Sequence, residues 1–122
     1  MYRVTIPMKL PSLNEYISAC KIQRGKWNKG NQMKQDTQDM MIYYLKRLPI
    51  FQKPVRIKFI WVSEKGDRRD LDNISFAKKF ILDGLQQAGR ISNDNRKHVT
   101  GFIDEFHYGE QYQVILEIEE EK

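Results

Sequence analysis

A single cysteine, Cys20, in a chain of 122 residues excludes more than it offers. It leaves no intrachain disulfide framework and no cysteine-rich zinc site. The chain has only two histidines, His98 and His107, and neither lies near Cys20 in sequence, which argues against a cysteine protease. No apolar run is long enough to span a membrane. No signal segment precedes the strand-like Tyr2-Arg3-Val4-Thr5-Ile6, so a cytoplasmic, reducing location with no membrane partner is expected. No glycine-rich loop of the usual phosphate-cradling kind occurs. Acidic residues are missing from Ala19 to Met33, where Lys21, Arg24, Lys26 and Lys29 arrive together, punctuated by Gly25 and Gly30. That stretch reads as a mobile basic loop, either a plain solvated linker or a contact for a polyanion. Trp27 in its middle favours nucleic acid, because an aromatic ring among cations can stack on a base.

The net charge of +5 suits a nucleic-acid partner without requiring one. The length fits one domain, residues 1–122, with a sizeable core. Strands are expected over Met1–Met8, Val55–Val62, Val99–His107 and Tyr112–Ile118, the last two joined by a turn at Gly109. Leu13–Ile17 reads as a loop or short helix. Met33–Arg47 reads as a helix with Met33, Thr37, Met40, Met41, Tyr44 and Leu45 on its buried side. A second main helix is expected over Asp72–Ala88, stopped by Gly89. Glu64–Arg69 is a charged turn, Ile91–Lys97 a polar connection, and Glu119–Glu121 a frayed tail. The order β, helix, β, helix, β, β predicts an α+β fold, a mixed β-sheet with helices packed on it.

The most informative motif is Asp70-Leu71-Asp72-Asn73, with Arg68 and Arg69 directly before it. In an extended segment, side chains at i and i+2 point the same way, and two such carboxylates repel unless a cation lies between them. Oxygen ligands of this kind suit Mg²⁺, which keeps several waters and binds beside substrate phosphates, and arginines are good phosphate partners. An N-cap followed by an acidic first turn is the alternative. At roughly 100° per residue, Asp72, Phe76, Lys79 and Asp83 fall on one stripe of a continuous helix, with Lys78 off it. Ile74, Ala77, Ile81, Leu85 and Ala88 form a separate stripe facing the core. The polar edge is either part of a site or a solvated face with an ordinary Lys79–Asp83 pair.

These residues resemble those of the RusA-type Holliday junction resolvases, phage- and prophage-encoded endodeoxyribonucleases. The matching pieces are Asp70-x-Asp72-Asn73, Lys79-x-x-x-Asp83-x-Leu85, Asp94 beyond the helix, and the opening Leu13-Asn14-Glu15-Tyr16-Ile17. The chain departs from the family at Phe76, where a lysine often stands. Three extra residues here precede Lys79. It departs again at Asn93-Asp94, where paired aspartates are common. The resemblance implies a homodimer that binds four-way (branched) DNA junctions and nicks two strands symmetrically, using Mg²⁺, or Mn²⁺, and water. It implies Asp70, Asp72 and Asp94 as catalytic metal ligands, with Lys79 orienting the nucleophile or neutralising transition-state charge. Asp83 is either an indirect metal ligand or a holder of Lys79. DNA contacts are expected from Arg68, Arg69, Asn73, Lys21, Arg24, Lys26 and Lys29. Two other classes stay open: a non-cleaving junction- or DNA-binding module, and a metal-dependent enzyme acting on a nucleotide or sugar-nucleotide.

Overall fold

The computed structural model describes residues 1–122. In chain order it contains β1 (Tyr2–Ile6), α1 (Leu13–Cys20), β2 (Gln23–Arg24), β3 (Trp27–Asn28), α2 (Lys29–Leu45), β4 (Val55–Glu64), α3 (Leu71–Ser75), α4 (Lys78–Gln87), β5 (Val99–Gly109) and β6 (Gln113–Glu120). Four strands form one mixed sheet in the order β1-β6-β4-β5, and β2 and β3 form a separate hairpin. The fold is α+β, as expected.

Strand β4 alternates strictly, with Val55, Ile57, Phe59, Trp61 and Ser63 buried and the residues between them more exposed. Its apolar face meets α2 and α4, so the core lies between one sheet face and the helices. Met41 and Leu45 of α2 and Phe80, Ile81 and Leu85 of α4 join that cluster. Helices α2 and α4 cross closely at Gly84, where an added Cβ would stand 3.0 Å from Leu45 Cδ1.

Several expectations change on contact with the fold. Strands β5 and β6 are consecutive and antiparallel in sense, yet they do not pair. Strand β4 lies between them, parallel to β5 and antiparallel to β6. A short turn fixes the direction of the next strand but not its neighbour, and β4, the most apolar strand, takes the centre. The glycine at the turn is required because a Cβ on Gly109 would lie 2.7 Å from Val62 Cγ1. The acidic tail is not frayed: Glu119 and Glu120 pair with Arg56 and Val55, and the Glu121 amide donates to Pro54 O at 2.7 Å.

Leu13–Cys20 is a helix, closed by a capping box between Ser12 and Glu15. The basic stretch is ordered as the β2–β3 hairpin, and α2 starts at Lys29 rather than Met33, because the Asn28 side chain caps it by accepting from Asn31 N. On α2, Thr37, Met41 and Leu45 are buried and Met33 and Tyr44 half-buried, as expected. Met40 is 57% exposed, and Gln38 takes a buried place instead.

The continuous helix over Asp72–Ala88 is in fact two, α3 and α4, with a break at Phe76–Ala77. The bonds across the break are the tighter i→i+3 kind, Lys79 N to Phe76 O and Phe80 N to Ala77 O, both 3.0 Å. Tyr16, Phe76 and Phe80 explain it, since their rings pack as three mutual pairs at 5.5–5.6 Å. Each pair is worth about 0.5–1.5 kcal/mol, which matches or exceeds the modest cost of exchanging one hydrogen-bond register for another. Phe76 therefore belongs to the helix packing and not to a polar stripe.

Candidate metal and nucleic-acid site

The sheet delivers the motif through the loop after β4, and that loop is fixed from within. Arg69 grips Asp67 with Nε 3.0 Å from both carboxylate oxygens and Nη2 2.8 Å from Oδ2, while its amide donates to Oδ1 at 3.1 Å. The Asp67 side chain is 4% exposed and that of Arg69 18%. The Tyr108 hydroxyl donates to Asp67 O at 3.1 Å, and the Arg69 guanidinium lies 5.6 Å from the centre of the Tyr112 ring. Arg69 is thus engaged in holding the loop, whereas Arg68 is exposed and makes no ion pair.

This clamp sets a pH dependence. The Arg69 guanidinium holds the Asp67 carboxyl far below the usual carboxylate range, against the opposing effect of burial, with the Arg69 amide and Ser63 assisting. A depressed folded-state pKa stabilises the fold above the unfolded value, about 3.9, and that contribution fades as pH falls below it. Asp67→Asn should therefore lower unfolding free energy by about 2 kcal/mol at pH 7. In urea titrations the gap between wild type and variant should close towards pH 2. A gap independent of pH would mean the clamp is not ionic.

Asp70 is the N-cap residue of α3, with extended backbone at φ −65° and ψ 153°, but its side chain makes no capping hydrogen bond. Asp72 lies in the first turn. Both are exposed, and neither pairs with a cation. The N-cap alternative holds for the position of Asp70 and fails for its carboxylate, which stays free. Asn73 turns inward instead, its Oδ1 accepting from Asn14 N at 3.0 Å, and so ties α3 to the start of α1.

Lys79 is exposed, its Nζ 3.5 Å from Asp83 Oδ1. Asp83 has a second cation that sequence reasoning missed, Lys34 of α2, with Nζ 3.0 Å from Oδ2. That oxygen is shut off from solvent, and Lys34 lies outside hydrogen-bond direction, so the attraction is Coulombic. With a lysine on each oxygen, Asp83 acts as a holder of lysines. Lys34 precedes Gln38, Met41 and Leu45 on the α2 face turned to α4, so helical spacing was the available signal.

Lys78 is not a free lysine either. Its Nζ lies 2.7 Å from Asp104 Oδ2 and 5.2 and 4.7 Å from the ring centres of Phe59 and Phe102. Trp61 Nε1 donates to the other oxygen of Asp104 at 2.9 Å. Lys78→Ala should cost about 1 kcal/mol in chemical denaturation, since it removes the charged partner of Asp104, which Trp61 still holds, together with the cation over two aromatic rings. An unchanged denaturation midpoint would refute that role.

Asp94 is not beside Asp70 and Asp72. It precedes β5, where Val55 pairs with Val99 and the Val55 amide donates to His98 O at 2.9 Å. Asp70 follows the other end of β4, where Glu64 pairs with Gly109. A strand of this length spans about 30 Å. Within one chain no group of three or more His, Cys, Asp or Glu comes together to hold a metal ion. What the chain does offer is two free carboxylates at one helix start. With waters and phosphate oxygens they make a donor set that fits Mg²⁺.

One length of helix α1 separates the basic hairpin from the start of α3. Helix α1 begins against Asn73 and ends at the hairpin, about 12 Å away by helical rise. Only seven of the 21 Lys and Arg side chains pair with a carboxylate: Arg3, Lys34, Arg56, Lys58, Arg69, Lys78 and Lys79. Lys21, Arg24, Lys26, Lys29 and Arg68 are all uncompensated. No helix is long and apolar enough to cross a membrane. No protein-family model matches this chain, and no curated protein matches it at a significant level.

Proposed function

We propose that this chain is a Mg²⁺-dependent endodeoxyribonuclease that nicks branched, four-way DNA as a homodimer. One observation carries the reading. Two exposed, unpaired aspartates stand at the start of α3, directly after the uncompensated Arg68 and one length of α1 from the uncompensated hairpin. A carboxylate pair beside free cations is what hydrolysis of a bridged phosphodiester requires, and it is unhelpful to a plain DNA-binding surface. A divalent cation bound there supplies a water of lowered pKa and charge neutralisation at the phosphate. Asp70 and Asp72 hold it. Lys79, kept in place by Asp83, supports the charge that develops on the phosphate oxygens, and Arg68 positions the backbone.

The homodimer addresses the distance to Asp94. Strand β5 is an open edge of 11 residues, without lysine or proline, that exposes Phe102, Ile103 and Tyr108. A long uncovered edge invites strand pairing. If two copies pair β5 antiparallel about a twofold axis at Asp104, Val99 of one lies opposite Gly109 of the other. That arrangement carries Asp94 of the second copy towards Asp70 and Asp72 of the first. Asp104, at the axis, is already neutralised by Lys78.

The test is nicking of an end-labelled synthetic four-way junction with added Mg²⁺, beside a gel-shift comparison of junction and linear duplex in chelator. Symmetric nicks and preferential junction binding are expected. Junction binding without nicks would leave a binding module, and binding of neither DNA would remove the reading.

A further inference from the structure

We infer that the β2–β3 hairpin is a rigid wedge whose Trp27 stacks on a base at the branch point, with Arg24 beside it on the phosphate backbone. This rests on the DNA reading above and concerns how the branch is recognised.

The hairpin has little freedom. Gly25 has φ +59° and Lys26 a negative φ, the pattern of a two-residue II′ turn, the tight hairpin type that needs glycine first. Asn28 pins the base of the hairpin from three directions. Its Nδ2 donates to Cys20 O at 2.9 Å and Gln23 Oε1 at 2.8 Å, and its Oδ1 caps α2. The Lys29 amide adds a bond to Ile22 O at 3.0 Å. Gly30 lets the chain pass Cys20, since a Cβ there would clash with its Sγ.

Arg24 and Trp27 are direct cross-strand partners, so their side chains share one face. Trp27 is 41% exposed, and no ring, cation or acceptor of the chain engages its indole. A large aromatic held on a stiff support, beside Arg24 and in the same basic segment as Lys21, Lys26 and Lys29, matches a surface that offers both phosphates and an accessible base face. Linear duplex offers the phosphates but keeps its bases stacked, whereas a branch point opens them. The distance of about 12 Å along α1 to Asn73 corresponds to three or four nucleotides at about 3.4 Å each, so wedge and nick site can engage the same arm.

The experiment uses the full chain in chelator, so that cleavage plays no part. A four-way junction carries 2-aminopurine beside the branch, and a linear duplex carries the same label. Wild type and Trp27→Phe should raise the label's emission on the junction, while Trp27→Ala should abolish most of the rise. Trp27→Ala should weaken junction binding about tenfold, the usual worth of a base stack, and leave duplex binding unchanged. Trp61, 2% exposed, is shielded from added quencher and keeps its emission, so loss of the quenchable tryptophan signal on junction binding reports Trp27. A full 2-aminopurine rise with Trp27→Ala overturns the wedge while leaving the DNA reading standing. So does an equal loss on junction and duplex. Binding of neither DNA by wild type overturns both.

Discussion

Asp70→Asn and Asp72→Asn should each reduce Mg²⁺-dependent nicking of a four-way junction by about a thousandfold or more, close to 4 kcal/mol of transition-state stabilisation. Junction binding in chelator should survive or tighten. Each carboxylate is exposed and unpaired, so without metal it repels the DNA backbone, and neutralising it removes that penalty together with a metal ligand. Lys79→Ala should stop nicking and weaken binding slightly, because it deletes a positive charge next to the phosphate. Asp83→Asn should give a partial loss, since Lys79 and Lys34 lose their anchor while remaining present. Nicking rates and gel shifts run in parallel separate these outcomes. Full activity in Asp72→Asn would show that the aspartates are an ordinary solvated helix start.

Mixing two inactive variants, Asp72→Asn and Asp94→Asn, should restore nicking from nothing to about a quarter of the wild-type rate. The number follows from twofold symmetry. Random mixing makes about half of the dimers mixed, and a mixed dimer has one intact site if Asp94 acts across the interface. That site combines Asp72 from one copy with Asp94 from the other, and its counterpart lacks both. Mixed dimers should therefore give single nicks without paired resolution, visible as nicked junctions on a native gel. If Asp94 acted within its own chain, every site in a mixed dimer would lack one aspartate and nothing would be restored. A proline at Ile103 or Glu105, on the open β5 edge, should abolish the restored activity by blocking strand pairing. Sedimentation of those variants as monomers would confirm why.

Local chemistry was legible in the sequence wherever a short segment decides its own structure. The strand at β4, the stop at Gly89 and the α+β class all followed from local composition and spacing, because a short segment carries its own propensity and stop signals. The position of Asp70 at a helix start is also local, but that its carboxylate makes no capping bond is a finding of the structure. Contacts between distant segments decided the rest. The break at Phe76 depends on Tyr16, sixty residues away, and no helical arithmetic from Asp72 contains it. Lys78 and Lys79 are adjacent in sequence, yet one is consumed by Asp104 and the aromatic rings, while the other stays on the surface beside Asp83. Arg68 and Arg69 divide the same way, because Asp67 is close enough to claim only one. Because β5 runs parallel to β4, Asp94 before the one and Asp70 after the other lie at opposite ends of about 30 Å of strand. Sequence determines which groups a chain carries and the period on which it displays them. Only the packed structure decides which charges are already spent on one another, because ion pairing and burial depend on distance in space.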